Sequence, residues 1–191
     1  MVSGGFEMHN RTDTQDAWIV GEIENSLSAV LFREDYRDYY RRKGMSGFAA
    51  YDIGRQIKIG GRYSSDYFGS LTNTVDWRLF DHRYVQRSFR PNPAIDEGRI
   101  HSPRSELIFD TRNRHSNPRQ GWHITAMFER TGGVFGGDYT FDRYLLDGRR
   151  YQPLGRDMRL DVCVRTGAAD KALPAQYLYD LGGVSTLRGY G

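Results

Sequence analysis

Residues 158–165 constrain the fold of this chain most. They read Met158-Arg159-Leu160-Asp161-Val162-Cys163-Val164-Arg165, a strict alternation of apolar and polar or sulfur-bearing side chains. A β-strand has a side-chain period of two, so Met158, Leu160, Val162 and Val164 share one face, and Arg159, Asp161, Cys163 and Arg165 share the other. A helix cannot produce that division. The polar face carries charges of both signs, more than a merely solvated surface requires. Residues 122–131 repeat the pattern, with Trp122, Ile124, Ala126 and Phe128 opposed to His123, Thr125, Met127 and Glu129. Ser105, Leu107, Phe109 and Thr111 alternate with Arg104, Glu106, Ile108, Asp110 and Arg112, and Ile57, Ile59 and Tyr63 alternate with Lys58 and Arg62. Residues 4–10, 17–23 and 46–54 are weaker strands. Residues 138–152 read as a long strand whose phase is mixed around Tyr139 to Arg143. Together these predict an all-β fold, an antiparallel meander of about eight strands separated by Gly/Pro/Asn/Asp-rich breaks.

The breaks are unequal. Those at 11–16, 55–56, 113–120 and 153–157 are short, whereas 24–45, 69–102 and 168–191 are long, with a short break at 132–137 on the same side. In an antiparallel meander successive turns fall on opposite rims, so one rim has only tight turns and the other carries most of the long loops. That asymmetry is characteristic of transmembrane barrels, with short periplasmic turns and longer extracellular loops. Within 24–45, residues 26–42 read as a helix with Ser26 as N-cap and Leu27, Val30 and Leu31 on one face. Strands extending into the loop are the alternative.

The longest uninterrupted apolar runs, 17–20, 29–32 and 48–51, are four residues each. A membrane-spanning helix needs about 20, so none is encoded, but this test does not bear on a barrel. The first six residues have no basic start and no apolar stretch that would read as a secretory signal. Hydrophobic residues are 38% of the chain, and the 22 glycines raise the share to about half, while 14% are aromatic. Such a chain folds. Of 27 basic residues only Lys43, Lys58 and Lys171 are lysine, the rest being arginine, which suits paired and partly desolvated charge. A pI near 9 suggests nucleic acid only if the bases form a stripe. Here acids are interspersed throughout, so nucleic acid is not an expected partner.

No catalytic motif stands out. His9, His82, His101, His115 and His123 form no pair at metal-ligand spacing, and Cys163 is the single cysteine, which excludes an intramolecular disulfide. There is no Gly-x-Ser-x-Gly elbow. Gly132-Gly133-Val134-Phe135-Gly136-Gly137 lacks the Lys-Ser/Thr ending of a phosphate loop and reads as a hairpin connection needing positive φ. The charged, Tyr-rich run 33–43 reads as a solvated loop with local ion pairs. The reading is therefore non-enzymatic, without cofactor or metal.

The C-terminal stretch Gly182-Gly183-Val184-Ser185-Thr186-Leu187-Arg188-Gly189-Tyr190 sets one arginine among glycines at the tip of a long loop. Such a segment can fold back and carry a guanidinium into a wet, charged cavity. It resembles the sixth-loop signature Gly-Gly-x-x-x-(Val/Leu)-Arg-Gly-(Phe/Tyr) of the outer-membrane barrel proteins that include BamA and TamA, the bacterial surface antigen family. Asp110-Thr111-Arg112-Asn113 with Asn117-Pro118-Arg119-Gln120-Gly121, and Tyr151-Gln152-Pro153-Leu154, are similar to that family's strand ends and periplasmic turns. The likeness is strongest over residues 103–191. Over 1–102 it rests on rhythm, with Glu24-Asn25-Ser26-Leu27 and Asp35-Tyr36-Arg37-Asp38-Tyr39-Tyr40 similar to loops of some members.

The resemblance implies that residues 1–191 are an incomplete portion of a transmembrane β-barrel of roughly 16 strands, with residues 168–191 as the sixth extracellular loop. It also implies preceding POTRA domains and further strands after Gly191. It makes Gly182, Gly183, Leu187, Arg188, Gly189 and Tyr190 a lumen-bracing motif, the arginine's acidic partners lying on strands outside this sequence. Arg159, Asp161, Arg165 and Glu129 become candidates to face the lumen. The implied function is insertion or export of polypeptides in the bacterial outer membrane. The implied partners are the lipid bilayer, unfolded outer-membrane or secreted polypeptides, and periplasmic assembly proteins reached through the POTRA domains. A portion alone is not expected to be functional. The alternative from the residues alone is a soluble antiparallel β-sandwich or barrel that binds a ligand. The two readings differ in whether Leu160, Val162, Val164, Trp122, Ile124 and Phe128 are covered by protein.

Overall fold

The computed structural model describes residues 1–14, 39–72, 92, 94–156 and 158–179. These residues form one antiparallel meander of seven strands in chain order: β1 Val2–Thr14, β2 Tyr39–Ile53, β3 Ile57–Ser70, β4 Gly98–Asp110, β5 Gly121–Arg130, β6 Asp142–Pro153 and β7 Arg159–Ala169. Two 3-10 turns, Gly133–Phe135 and Ala175–Tyr177, are the only helical pieces among the described residues. The expected strands at 46–54, 57–63, 104–112, 122–131 and 158–165 all fall within or largely within these elements. Residues 17–23, expected as a strand, lie outside the described residues, and β1 pairs directly with β2.

The differences from expectation cluster where alternation fades. Residues 11–16 read as a turn, but Arg11 to Thr14 continue β1. Arg41 Nε donates to Asn10 Oδ1 at 3.0 Å, and Arg42 Nη1 lies 3.5 Å from Asp13 Oδ2, so polar side chains pair with β2. Residues 39–42, the end of the expected helix, are strand. There Tyr40 buries its ring 5.6 Å from Phe68 of β3, which demands alternation in register; the remainder of that helix, 26–38, lies outside the described residues. The mixed phase around Tyr139 has a simple cause, since β6 begins only at Asp142. The preceding connection is built on Gly132, Gly133, Gly136 and Gly137, with φ of 72°, 58°, 73° and 96°. These angles are the positive φ expected for the glycine run. β7 runs to Ala169, into the segment expected as loop.

The chain divides into two compact units. One comprises Met1–His9, Gly44–Asp66 and Arg99–Leu173, the other Asn10–Lys43, Tyr67–Gly98 and Pro174–Gly191. In the second, Phe68 sits between Tyr40 and Tyr177, the latter ring edge-on at 5.8 Å. The segment after β7 is held there by Asp96, whose Oδ2 accepts from Ala175 N at 2.7 Å and whose carbonyl accepts from Gln176 Nε2 at 2.9 Å.

In the first unit the register fixes two faces. Arg104 stands opposite Glu129, which stands opposite Arg143 and then Ala169; one residue along, Ser105, Phe128, Tyr144 and Ala168 form the neighbouring rung. Because alternate rungs project to opposite sides, Leu107, Ala126, Leu146 and Thr166 join the second set on one face. Ile108, Thr125, Asp147 and Arg165 join the first on the other.

Burial is inverted relative to a soluble domain. Val164 is 62% exposed, Leu160 48% and Leu146 45%, while Glu129 is 1% and Asp147 6% exposed. The soluble sandwich needs a second sheet over the apolar face, but all seven described strands belong to one sheet, and Leu160, Val162, Val164 and Trp122 are exposed.

Candidate functional site

The polar face of the first unit is a set of hydrogen-bonded charges held at fixed register. Its centre is Glu129, next to last in β5. Ser102 Oγ donates to Glu129 Oε1 at 2.8 Å, and Arg104 and Arg143 donate to Oε2 at 3.2 and 2.7 Å. The ladder places one guanidinium on each side of the carboxylate, because Arg104 and Arg143 are its direct cross-strand partners. Ser64 extends the chain onto β3, its Oγ 3.0 Å from Ser102 Oγ. Two cations and a hydroxyl thus compensate the desolvation of one buried acid.

A second cluster lies on β1 to β3. His9 Nε2 is 2.8 Å from Asp66 Oδ1, although β2 runs between their strands. Gly44 makes this reach possible, since a Cβ there would collide with Asp66 Oδ1 and the Ser65 carbonyl. Arg62 Nη1 donates to the buried Ser46 Oγ at 2.8 Å and lies 3.7 Å from Glu7. Its guanidinium also covers the Phe48 ring at 5.3 Å.

On β6 and β7, Asp147 Oδ1 accepts from Arg149 Nε at 3.0 Å, and its Oδ2 is 3.2 Å from Arg165 Nε. Toward the short-turn rim Arg159 binds Asp161 Oδ1 at 2.6 Å, and its Nη1 donates to Asn117 Oδ1 at 3.0 Å. Arg159 therefore ties the β6–β7 end to the β4–β5 turn. In that turn Arg112 donates to both oxygens of Asp110, at 2.9 and 2.6 Å, which holds the guanidinium above its ordinary range.

Among the described residues no group of His, Cys, Asp and Glu could hold a metal, and Cys163 is a free, exposed thiol on β7. Ser102 is a hydroxyl set against a carboxylate, but it and Glu129 are each only 1% exposed. What the arrangement offers is a rigid, water-compatible charged surface on one side of a sheet whose other side is apolar.

The Omp85 superfamily domain matches residues 10–191. The chain belongs to the Omp85 superfamily. No curated protein matches it. Membership of the Omp85 superfamily places the chain among outer-membrane β-barrel proteins that insert or translocate polypeptides, transport proteins rather than enzymes. The inverted sheet is the local form that such a barrel takes.

Of the residues singled out in the sequence, Glu129, Arg159, Asp161 and Arg165 stand on one face of this Omp85 sheet, but in three separate clusters. Gly182, Gly183, Leu187, Arg188, Gly189 and Tyr190 lie outside the described residues. Sequence reasoning missed Arg143 and Asp147, whose phase was obscured by the glycine connection before β6. It missed Ser102, Ser64 and Asp66 as well, because a serine carries no charge signal and pairing across strands depends on register. Spacing of i, i+2 along one strand face could have flagged both the Asp147–Arg149 and the Arg159–Asp161 pairs.

Proposed function

We propose that this chain forms part of a transmembrane barrel in the bacterial outer membrane, its polar face lining an aqueous lumen and its apolar face meeting lipid. In this reading Glu129, Arg159, Asp161 and Arg165 face the lumen together with Arg104, Arg143 and Asp147. The single observation that supports it best is the inversion of burial on the interior strands, with buried Glu129 and Asp147 behind exposed Leu107, Tyr144 and Leu146. Strand length agrees, since β1 to β4 have 13 to 15 residues, whereas about 9–11 tilted residues cross the hydrocarbon. The surplus explains why alternation fades at the long-loop ends, where both faces meet water.

The function proposed is insertion of outer-membrane proteins or export of polypeptides, with unfolded polypeptides and the bilayer as partners. Strand edges act by templating: an incoming strand satisfies backbone groups that hydrocarbon cannot. Every residue of β7 is exposed, and its outer edge has no strand beside it among the described residues. Unpaired N–H and C=O groups in lipid cost several kcal/mol each, so the reading includes further strands that pair with the open edges of β7 and β1. On the family resemblance alone it also includes POTRA domains on the periplasmic side and Arg188 of the Gly182–Tyr190 motif bracing the lumen.

Reconstitution of the complete protein, with the further strands and POTRA domains, into phosphatidylcholine vesicles tests the activity. A urea-denatured outer-membrane barrel added to these vesicles is expected to become protease-resistant faster than in protein-free vesicles. Equal rates with and without the protein would contradict the proposal.

A further inference from the structure

Within the paired segments of β5 and β6, two arginines stand on the apolar face, at opposite ends of the ladder. Arg130 is neutralised, because Asp142 faces it in register and accepts from its Nε at 2.8 Å. Arg150 is not. Its cross-strand neighbours are Trp122 and Val162, and no carboxylate partners it among the described residues. Its guanidinium lies 5.0 Å from the centroid of the Trp122 ring, and its Nη2 bonds to the neutral Gln152 carboxamide at 2.5 Å. Trp122 is itself 43% exposed, and Leu160 and Val162 complete an apolar surround.

This site lies next to the short-turn rim, one rung from Gly121 and Tyr151. A permanently charged group amid apolar side chains is expensive unless an anion answers it. Arginine and tryptophan together mark the boundary between hydrocarbon and headgroups, where the ring sits among the esters and the long side chain reaches outward. The planar fork of Arg150 fits the two free oxygens of a phosphodiester. The lumenal arginines do not offer this, since Arg104, Arg143, Arg149, Arg159 and Arg165 already face Glu129, Asp147 or Asp161.

We propose that Arg150, with Trp122 and Gln152, is a binding site for the phosphodiester headgroup of an anionic phospholipid in the leaflet at the short-turn rim. The proposal rests on the reading of the apolar face as lipid-facing. One anionic lipid held there would anchor the β5–β7 segment at a fixed depth.

The test uses the complete protein with every tryptophan except Trp122 replaced by Phe, Trp18 and Trp77 among them, which leaves Trp122 as the fluorescent reporter. It is placed in phosphatidylcholine vesicles containing phosphatidylglycerol with a nitroxide near the ester. Quenching is expected to show a preference for phosphatidylglycerol over equally labelled phosphatidylcholine. Arg150→Gln should weaken that preference about fivefold, the value of one arginine at an anionic membrane surface. Arg150→Lys should keep only part of it, since an ammonium retains the charge but not the fork, and Arg130→Gln should leave it unchanged. An unchanged preference in Arg150→Gln would overturn the site. So would its abolition by added inorganic phosphate, which would indicate a free-anion site instead. A spin label at Val164 in the same vesicles reports hydrocarbon whatever stands at position 150; water there would sink the membrane reading and not this site alone.

Discussion

Glu129→Ala is expected to destabilise the folded protein by about 3–5 kcal/mol, the cost of removing one partner from a buried charge network. The loss would exceed that of the missing contacts. Arg104 and Arg143 would be left facing each other across an emptied position, and Ser102 would lose its acceptor. Urea unfolding in detergent, followed by Trp fluorescence, measures the shift. Glu129→Gln should cost less, because a carboxamide still accepts from Ser102 or one arginine. Replacing Glu129, Arg104 and Arg143 together by leucine should recover much of the loss, since an apolar cluster avoids the desolvation of all three charges. An effect of Glu129→Ala no larger than about 0.5 kcal/mol, the range of ordinary surface changes, would show that water screens the triad and that the register does not bury it.

The second large effect lies on the opposite face. Leu146 stands midway along β6 between Ala126 and Thr166 and is 45% exposed. In a soluble protein, an exposed leucine replaced by arginine changes little. If lipid covers it, Leu146→Arg should cost about 2–4 kcal/mol, the penalty for arginine near the bilayer midplane of a barrel. The folded, protease-resistant form in outer membranes would fall accordingly. Ile108→Arg is the matched control, because Ile108 shares a rung and a face with Thr125 and Asp147. There an added guanidinium stays on the polar face, two residues along β4 from Glu106, and a small effect is expected. Equal losses for the two variants would contradict the assignment of the faces.

How much of this was legible beforehand depended on whether a residue's meaning is local. Residues 158–165 and 122–131 announce strand and phase without any neighbour, because alternation is written along the chain. The Arg159–Asp161 pair is local in the same way. The Glu129 site is not. Its partners Arg104 and Arg143 lie 25 and 14 residues away, and only the register of two ladders brings them together. The His9–Asp66 contact, spanning 57 positions, needs Gly44 between them and has no signature of its own. The turn-like composition of 11–16 misled for a related reason: Arg11 and Asp13 are polar because β1 continues beyond the alternating stretch, not because the chain reverses there. The glycine run at 132–137 reads as a connection and is one, yet the mixed phase of residues 139–143 that follows it conceals where β6 starts.

Nitroxide side chains placed in turn at Val164 and Arg165, adjacent on β7 and on opposite faces, test most directly which medium covers each face. In vesicles the label at Val164 should be relaxed by dissolved oxygen and shielded from a water-soluble paramagnetic salt, and the label at Arg165 should show the reverse. Water at Val164, or hydrocarbon at Arg165, would contradict the account.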